Sequence, residues 1–253
     1  MSTKALKQQL IAAIAMVLVA GIALASSTYA WFVTNNTVKA TTSQISAQSN
    51  AAFMNIKYNA SAVDSDLTAD VATLNSEALY PAQWKNDFDA SKGTSDPKIY
   101  QFETAYAQTV GAAAMDASTL KAIGTPAEAV TADYAVKNVF NISSKGTGLT
   151  DLKVTGCEIK SGDTGNTQLD NALRVLVVCG DNWVVCDKTG IVQSSHTTAG
   201  YLAAAVTAGA NTEVDLYVYY DGNESEIYTN NLANLSASSS KITITFGATA
   251  TNS

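Results

Sequence analysis

The chain has 253 residues, 47 % of them hydrophobic and only 15 % charged, with a formal net charge of −7. The apolar content suffices for a core and excludes global disorder. Acidity, with Arg174 the only arginine, excludes a nucleic-acid binder, which needs a basic stripe against phosphate.

Lys4 and Lys7 precede an uncharged run from Leu10 to Ala25, and Tyr29-Ala30-Trp31-Phe32 follows a few small residues later. A positive n-region, an apolar h-region and a small-residue cleavage site make the layout of a secretory signal. The expected location is therefore extracellular or at the cell surface, with a signal peptidase as a partner during export. Ala23-Leu24-Ala25 offers a cut after Ala25, and Thr28-Tyr29-Ala30 a cut after Ala30. Either removes both lysines and no acid, taking the net charge from −7 to −9. The alternative is a permanent anchor. Extended to Val33, the apolar run reaches the about 20 residues a span requires, with Trp31 at the interface. Any membrane contact then runs through residues 10–33.

Val38 to Gln48 alternates loosely, and Ala52 to Tyr58 alternates better, so both read as strands. From Asn59 to about Thr131 the two-residue period is lost. This stretch holds all three prolines (Pro81, Pro97, Pro126) and an aromatic cluster of Tyr80, Trp84, Phe88, Tyr100, Phe102 and Tyr106. Ala113–Ile123 reads as a short helix ending before Gly124. Such a stretch inside a β protein reads as an ordered insertion on one end of the sheets. Its rings serve either as the core of that insertion or as a platform for sugars. Asp64–Asp70 resembles the start of a calcium loop, but Ala69 replaces the turn glycine and Asn75 the final glutamate. It reads as a solvated acidic loop.

The strand signal strengthens at Tyr134-Val136-Asn138-Phe140-Ile142. Leu149–Lys160 follows, with a change of phase at Gly156 that predicts a bulge. Ala172–Cys179 is apolar on both faces and reads as a central strand, turned by Gly180-Asp181-Asn182 into a hairpin. Val214, Leu216, Val218 and Tyr220 share one face of a later strand, with Tyr217 and Tyr219 on its reverse. Tyr228–Leu235 reads as a short helix, and Ile242, Ile244 and Phe246 as the last strand. Strands without helical crossovers predict an all-β, antiparallel β-sandwich. The expected organisation is a signal or anchor at 1–30, an N-terminal arm at 31–48, and a sandwich at 49–253 with an insertion at about 59–131.

The odd set Cys157, Cys179 and Cys186 allows at most one internal bridge. They read as small buried strand residues, or with one cross-strand disulfide, Cys179–Cys186 or Cys157–Cys179. Their spacing and the single imidazole, His196, do not make a zinc site. His196 lies in the polar stretch Ser194–Thr198, and no Gly-x-Ser-x-Gly elbow occurs. The residue inventory thus predicts neither catalytic residues nor a metal or cofactor.

The join Ser27-Thr28-Tyr29-Ala30-Trp31-Phe32, with Asn35-Asn36-Thr37-Val38 after it, resembles the signal and mature start of TasA- and camelysin-like proteins. These are Gram-positive surface and biofilm-matrix proteins exported through a dedicated type of signal peptidase. Tyr220-Asp221-Gly222-Asn223, Asn230-Asn231-Leu232 and the strand Ile242–Phe246 resemble that family's C-terminal end. Residues 59–131 match nothing in it. The resemblance implies a jelly roll and fibres in which each subunit donates an N-terminal strand to the next copy. It makes Trp31, Phe32, Val33 and Val38 the assembly arm. Camelysin-like members have been called metallopeptidases, but one histidine cannot build a site that takes two on one helix face. The other function considered is a monomeric cell-surface binding module, using the insertion to hold a glycan.

Overall fold

The computed structural model describes residues 38–39, 44–49, 53–62, 68–70, 78–84, 100–104, 120–144, 147–161, 168–224 and 240–251. The cleavage points Ala25 and Ala30, the arm residues Trp31, Phe32 and Val33, and the helix expected at 228–235 lie outside the described residues. Among the described residues no helix is long and apolar enough to cross a membrane.

Sixteen strands are described. The N-terminal set is β1 (Val38–Lys39), β2 (Gln44–Ser49), β3 (Met54–Tyr58), β4 (Thr68–Asp70), β5 (Ala78–Leu79), β6 (Gln83–Trp84), β7 (Phe102–Thr104) and β8 (Lys121–Gly124). After the helix Pro126–Thr131 come β9 (Val136–Ser144) and β10 (Leu149–Ser161). After the helix Gln168–Ala172 come β11 (Leu173–Cys179), β12 (Asn182–Asp187), β13 (Gly190–Ser194), β14 (Tyr201–Val206), β15 (Thr212–Tyr220) and β16 (Ser240–Ala250).

Two sheets dominate, in the orders β14-β10-β16-β2-β4 and β13-β12-β11-β15-β9-β3. They face each other across one core. Leu152, Val154, Leu202, Ile242, Ile244 and Phe246 of the first meet Met54, Phe140, Val175, Val184, Leu216 and Val218 of the second. The all-β, antiparallel sandwich is thus present. Within the two large sheets the one exception is β2, which runs parallel to β16, with Gln44 beside Lys241 and Ser49 beside Phe246.

The central strands follow the alternation of the sequence. In β12, Val184 and Cys186 enter the sandwich core while Trp183 and Val185 face the other way. In β15, Leu216, Val218 and Tyr220 point inward, and Tyr217 and Tyr219 outward. The outward set meets Ala82, Tyr100, Phe102, Tyr134 and Ala135 in a second core. The insertion therefore covers the outer face of the six-stranded sheet, not one end of the sandwich. A sheet buried on both faces reads as a continuous apolar run, which explains β11.

Other expectations need revision. Of the helix expected at Ala113–Ile123, residues 113–119 lie outside the described residues, and its C-terminal end is a strand: Lys121–Gly124 of β8 pairs with β7. A helix begins at Pro126, where proline suits the first turn. The Thr125 backbone N–H and hydroxyl both donate to Glu128 Oε2, at 2.7 and 2.8 Å. Those bonds, the backbone one first, hold the exposed Glu128 carboxyl below its usual range. Gly124 sits at φ +117°, and a Cβ there would collide with the Glu128 carboxylate. The C-terminal end of the acidic segment, Thr68–Asp70, is a strand paired with β2.

Candidate functional site

Two places in the fold have the chemistry of a site. The first is the slot that β2 fills. β16 pairs with β10 along one side, antiparallel, and with β2 along the other. Beyond β2, among the described residues, lies only the three-residue β4, with Ser46, Ala47 and Gln48 opposite Asp70, Ala69 and Thr68. Val38 pairs with Leu79 through β1 and β5. The arm expected at 31–48 is thus seated within its own subunit at both described segments. A strand added to a sheet gains main-chain hydrogen bonds for affinity and alternate side chains for register.

The second place is the mouth of the second core. Tyr100 and Tyr219 share a 2.7 Å hydrogen bond between hydroxyls. Phe102 meets Tyr219 edge-on at 5.0 Å, Tyr100 meets Trp183 edge-on at 5.1 Å, and Trp84 stacks over Tyr100 at 6.3 Å. Burial is the main cause that holds both tyrosine hydroxyls well above their usual range. The insertion is tied to β15 by backbone: Ala82 N–H donates to Tyr220 O at 2.9 Å, and Gly222 N–H to Ala82 O at 3.0 Å.

Arg174 lies beside these rings. One guanidinium nitrogen donates to the carbonyls of Asn171 and Leu173, at 2.6 and 3.1 Å. The other bonds Glu224 and stands 3.3 Å from Asp221 Oδ2. Only 9 % of the Arg174 side chain is exposed. A single arginine inside the apolar run ALRVLVVC must find partners, because an unpaired charge cannot be buried cheaply. That signal was present in the sequence; its partners, 47 and 50 residues away, were not. Trp84, Tyr100, Asp187, Gln193, Asp221 and Asn223 help line a cavity of about 250 Å³ here. Two carboxylates already neutralise the guanidinium, so the cavity does not suit an anion. Flat rings beside carboxylates and amides suit a neutral polyhydroxylated ligand.

The remaining candidates are placed as follows. His196 is in an exposed loop, where its Nδ1 accepts from the Thr198 N–H at 3.0 Å and its ring stacks 4.1 Å from Tyr201. Among the described residues no three His, Cys, Asp or Glu side chains gather around a possible metal position. All three cysteines are free thiols. A Cys179–Cys186 bridge is excluded by register: Cys179 pairs with Asn182, and Cys186 with Val175. Their ladder positions are therefore about 13 Å apart along the strand, while a disulfide needs Cα atoms within about 7 Å. Cys157 packs against the same core as Cys186 and is the first cause that raises the Cys186 thiol. Spacing along the chain carried no signal for that cross-sheet packing.

No family model matches this chain, and no curated protein or solved structure matches it.

Proposed function

We propose that the chain is a structural, non-catalytic subunit of an extracellular fibre, pilus-like or biofilm-matrix assembly, polymerising by N-terminal strand donation. On this reading the sandwich is a jelly-roll variant. An N-terminal signal exports it, and a signal peptidase cuts after Ala25 or Ala30.

One observation carries the reading. β2, from the N-terminal arm, pairs parallel to the C-terminal strand β16, and among the described residues only three residues of β4 lie on its far side. On this reading the slot takes the N-terminal segment of a neighbouring copy. The segment of a second copy presents the same residues and makes the same ladder. Exchange between copies therefore conserves the contacts, and repetition head to tail gives an open filament.

The test uses register. Ser46→Cys and Thr243→Cys place thiols at paired positions of β2 and β16, in a chain whose native cysteines are replaced by serine. Filaments seen by electron microscopy should cross-link into a ladder of multimers under denaturing conditions. Filaments that yield only internally linked monomers would rule out exchange. Wild-type protein that stays monomeric at high concentration would shift the weight to a second reading.

That second reading is a monomeric cell-surface module binding a glycan, favoured by the cavity beside Trp84 and Tyr100. Its mark would be saturable binding of a neutral oligosaccharide, lost on Trp84→Ala.

A further inference from the structure

We propose that Cys157 and Cys186 form a disulfide that pins the two sheets of the sandwich together, leaving Cys179 as the free thiol.

The geometry begins with the bulge. Val154 faces the core, and in an unbroken strand every second residue would follow it, placing Cys157 on the outside. The register of β10 against β16 shifts between Val154 and Gly156. Two residues then oppose one, the phase inverts, and Cys157 joins Ile159 against the core. Across the sandwich, β12 brings Cys186 inward beside Val184. β10 and β12 approach within 8 Å between Cα atoms, closer than the about 10 Å that separates stacked sheets. Cys157 thus packs against the core cluster that contains Cys186, and it is the leading influence on the Cys186 thiol. The third cysteine lies at the far end of β11, opposite Asn182.

The pair is unequal in access. Cys186 is fully buried. Cys157 is partly exposed and helps line an open cavity with Gly156, Glu158, Lys160, Thr243 and Thr245. Interaction of its S–H with the Cys157 sulfur, with burial after it, holds the Cys186 thiol well above its usual range. A disulfide oxidant, either a small-molecule disulfide or a thiol–disulfide oxidoreductase, therefore meets Cys157 first. The Cys157 sulfur, as thiolate, attacks one sulfur of the oxidant and expels the other as thiolate. The mixed disulfide stands next to Cys186. Cys186 gives up its proton, attacks the Cys157 sulfur and expels the second thiolate. One S–S bond breaks and one forms. Two electrons pass to the oxidant, and the two thiol protons go to its two thiolates.

The test takes the purified full chain through oxidised glutathione in one arm and dithiothreitol in the other. After denaturation, the reduced protein should take an alkylating label on all three cysteines, and the oxidised protein only on Cys179. Peptide mapping without reductant should recover a Cys157–Cys186 cross-link. Closing that loop should raise the Tm by about 10 °C in the oxidised arm. Cys179→Ser should keep this rise, and Cys157→Ser and Cys186→Ser should lose it. Three labelled cysteines after oxidation, a bridge involving Cys179, or glutathione left on Cys157 would each overturn the proposal. All three outcomes are read on the wild-type chain, so they hold even where a serine variant fails to fold.

Discussion

The two large sheets of this protein differ in how their outer faces are finished. The six-stranded sheet is covered on both sides: its outward Leu176, Trp183, Val185, Tyr217 and Tyr219 lie under the insertion. The five-stranded sheet shows Thr155, Glu158, Lys160 and Lys241 to solvent, partly neutralised by pairs such as Lys160–Glu158 at 2.6 Å. One sheet is therefore an interior layer, and the other is a wall with a polar outside. The difference assigns roles. The double-sided sheet buries apolar side chains on both faces, while the single-sided sheet, with β2 and β4 at its edge, is where the proposed exchange of strands would take place.

The comparison is broken most forcefully at the second core. Trp183→Ala removes a ring packed against Tyr100 and Trp84, and it should cost about 3–5 kcal/mol in chemical denaturation. A loss below 1 kcal/mol would mean that the insertion only rests on the sheet.

Arg174→Ala comes next. It leaves Asp221 and Glu224 facing each other beside a buried edge, with an expected cost of about 3 kcal/mol. The triple change Arg174→Met, Asp221→Asn and Glu224→Gln should recover most of it, because the penalty lies in the orphaned charge. If the triple variant is no better than the single one, the arginine acts through packing of its stem.

The alkaline limb of stability should also belong to the six-stranded sheet. Burial raises Tyr100, Tyr219 and Tyr220, and holds Tyr134 up to about 12. Below pH about 10 both folded and unfolded states keep these protons. Above it the unfolded state releases them first, so stability falls as pH rises towards the folded values. The slope is roughly 1.4 kcal/mol per pH unit for each tyrosine still protonated in the fold. Ultraviolet titration should show these hydroxyls ionising together with unfolding. Smooth ionisation of every tyrosine near pH 10 in folded protein would contradict the double-sided burial.

Thr243→Ala, on the outer face of the five-stranded sheet, sharpens the contrast from the other side. It should change stability by less than about 0.5 kcal/mol, measured by the same denaturation curves. A larger loss would show that something packs on that wall.

Much of the six-stranded sheet was legible because burial on both faces is written locally. ALRVLVVC reads as a central strand, and the alternation from Val214 to Tyr220 separates its faces correctly. The shift at Gly156 marks a real bulge. Of the two readings of the insertion's aromatic cluster, core or sugar platform, Tyr100 and Phe102 take the first. Local reading failed where the signal was weak or came from elsewhere. β13 and β14 lie in a segment of serine, threonine and alanine whose pattern is faint, and they form because β12 and β10 offer them edges. Lys121–Gly124 has helix-forming neighbours, yet β7 recruits it as a strand.

The sequence by itself determined the all-β class, the central strands and the bulge, because alternation, turn residues and a change of phase are properties of neighbours along the chain. Only the tertiary structure decided that β2 lies parallel to β16, that Arg174 meets Asp221 and Glu224, and that Cys157 packs against the core that holds Cys186 while Cys179 is out of register with it. These are contacts between strands whose separation in space depends on sheet order and sheet packing. No period of a single strand encodes which face of another sheet it will meet.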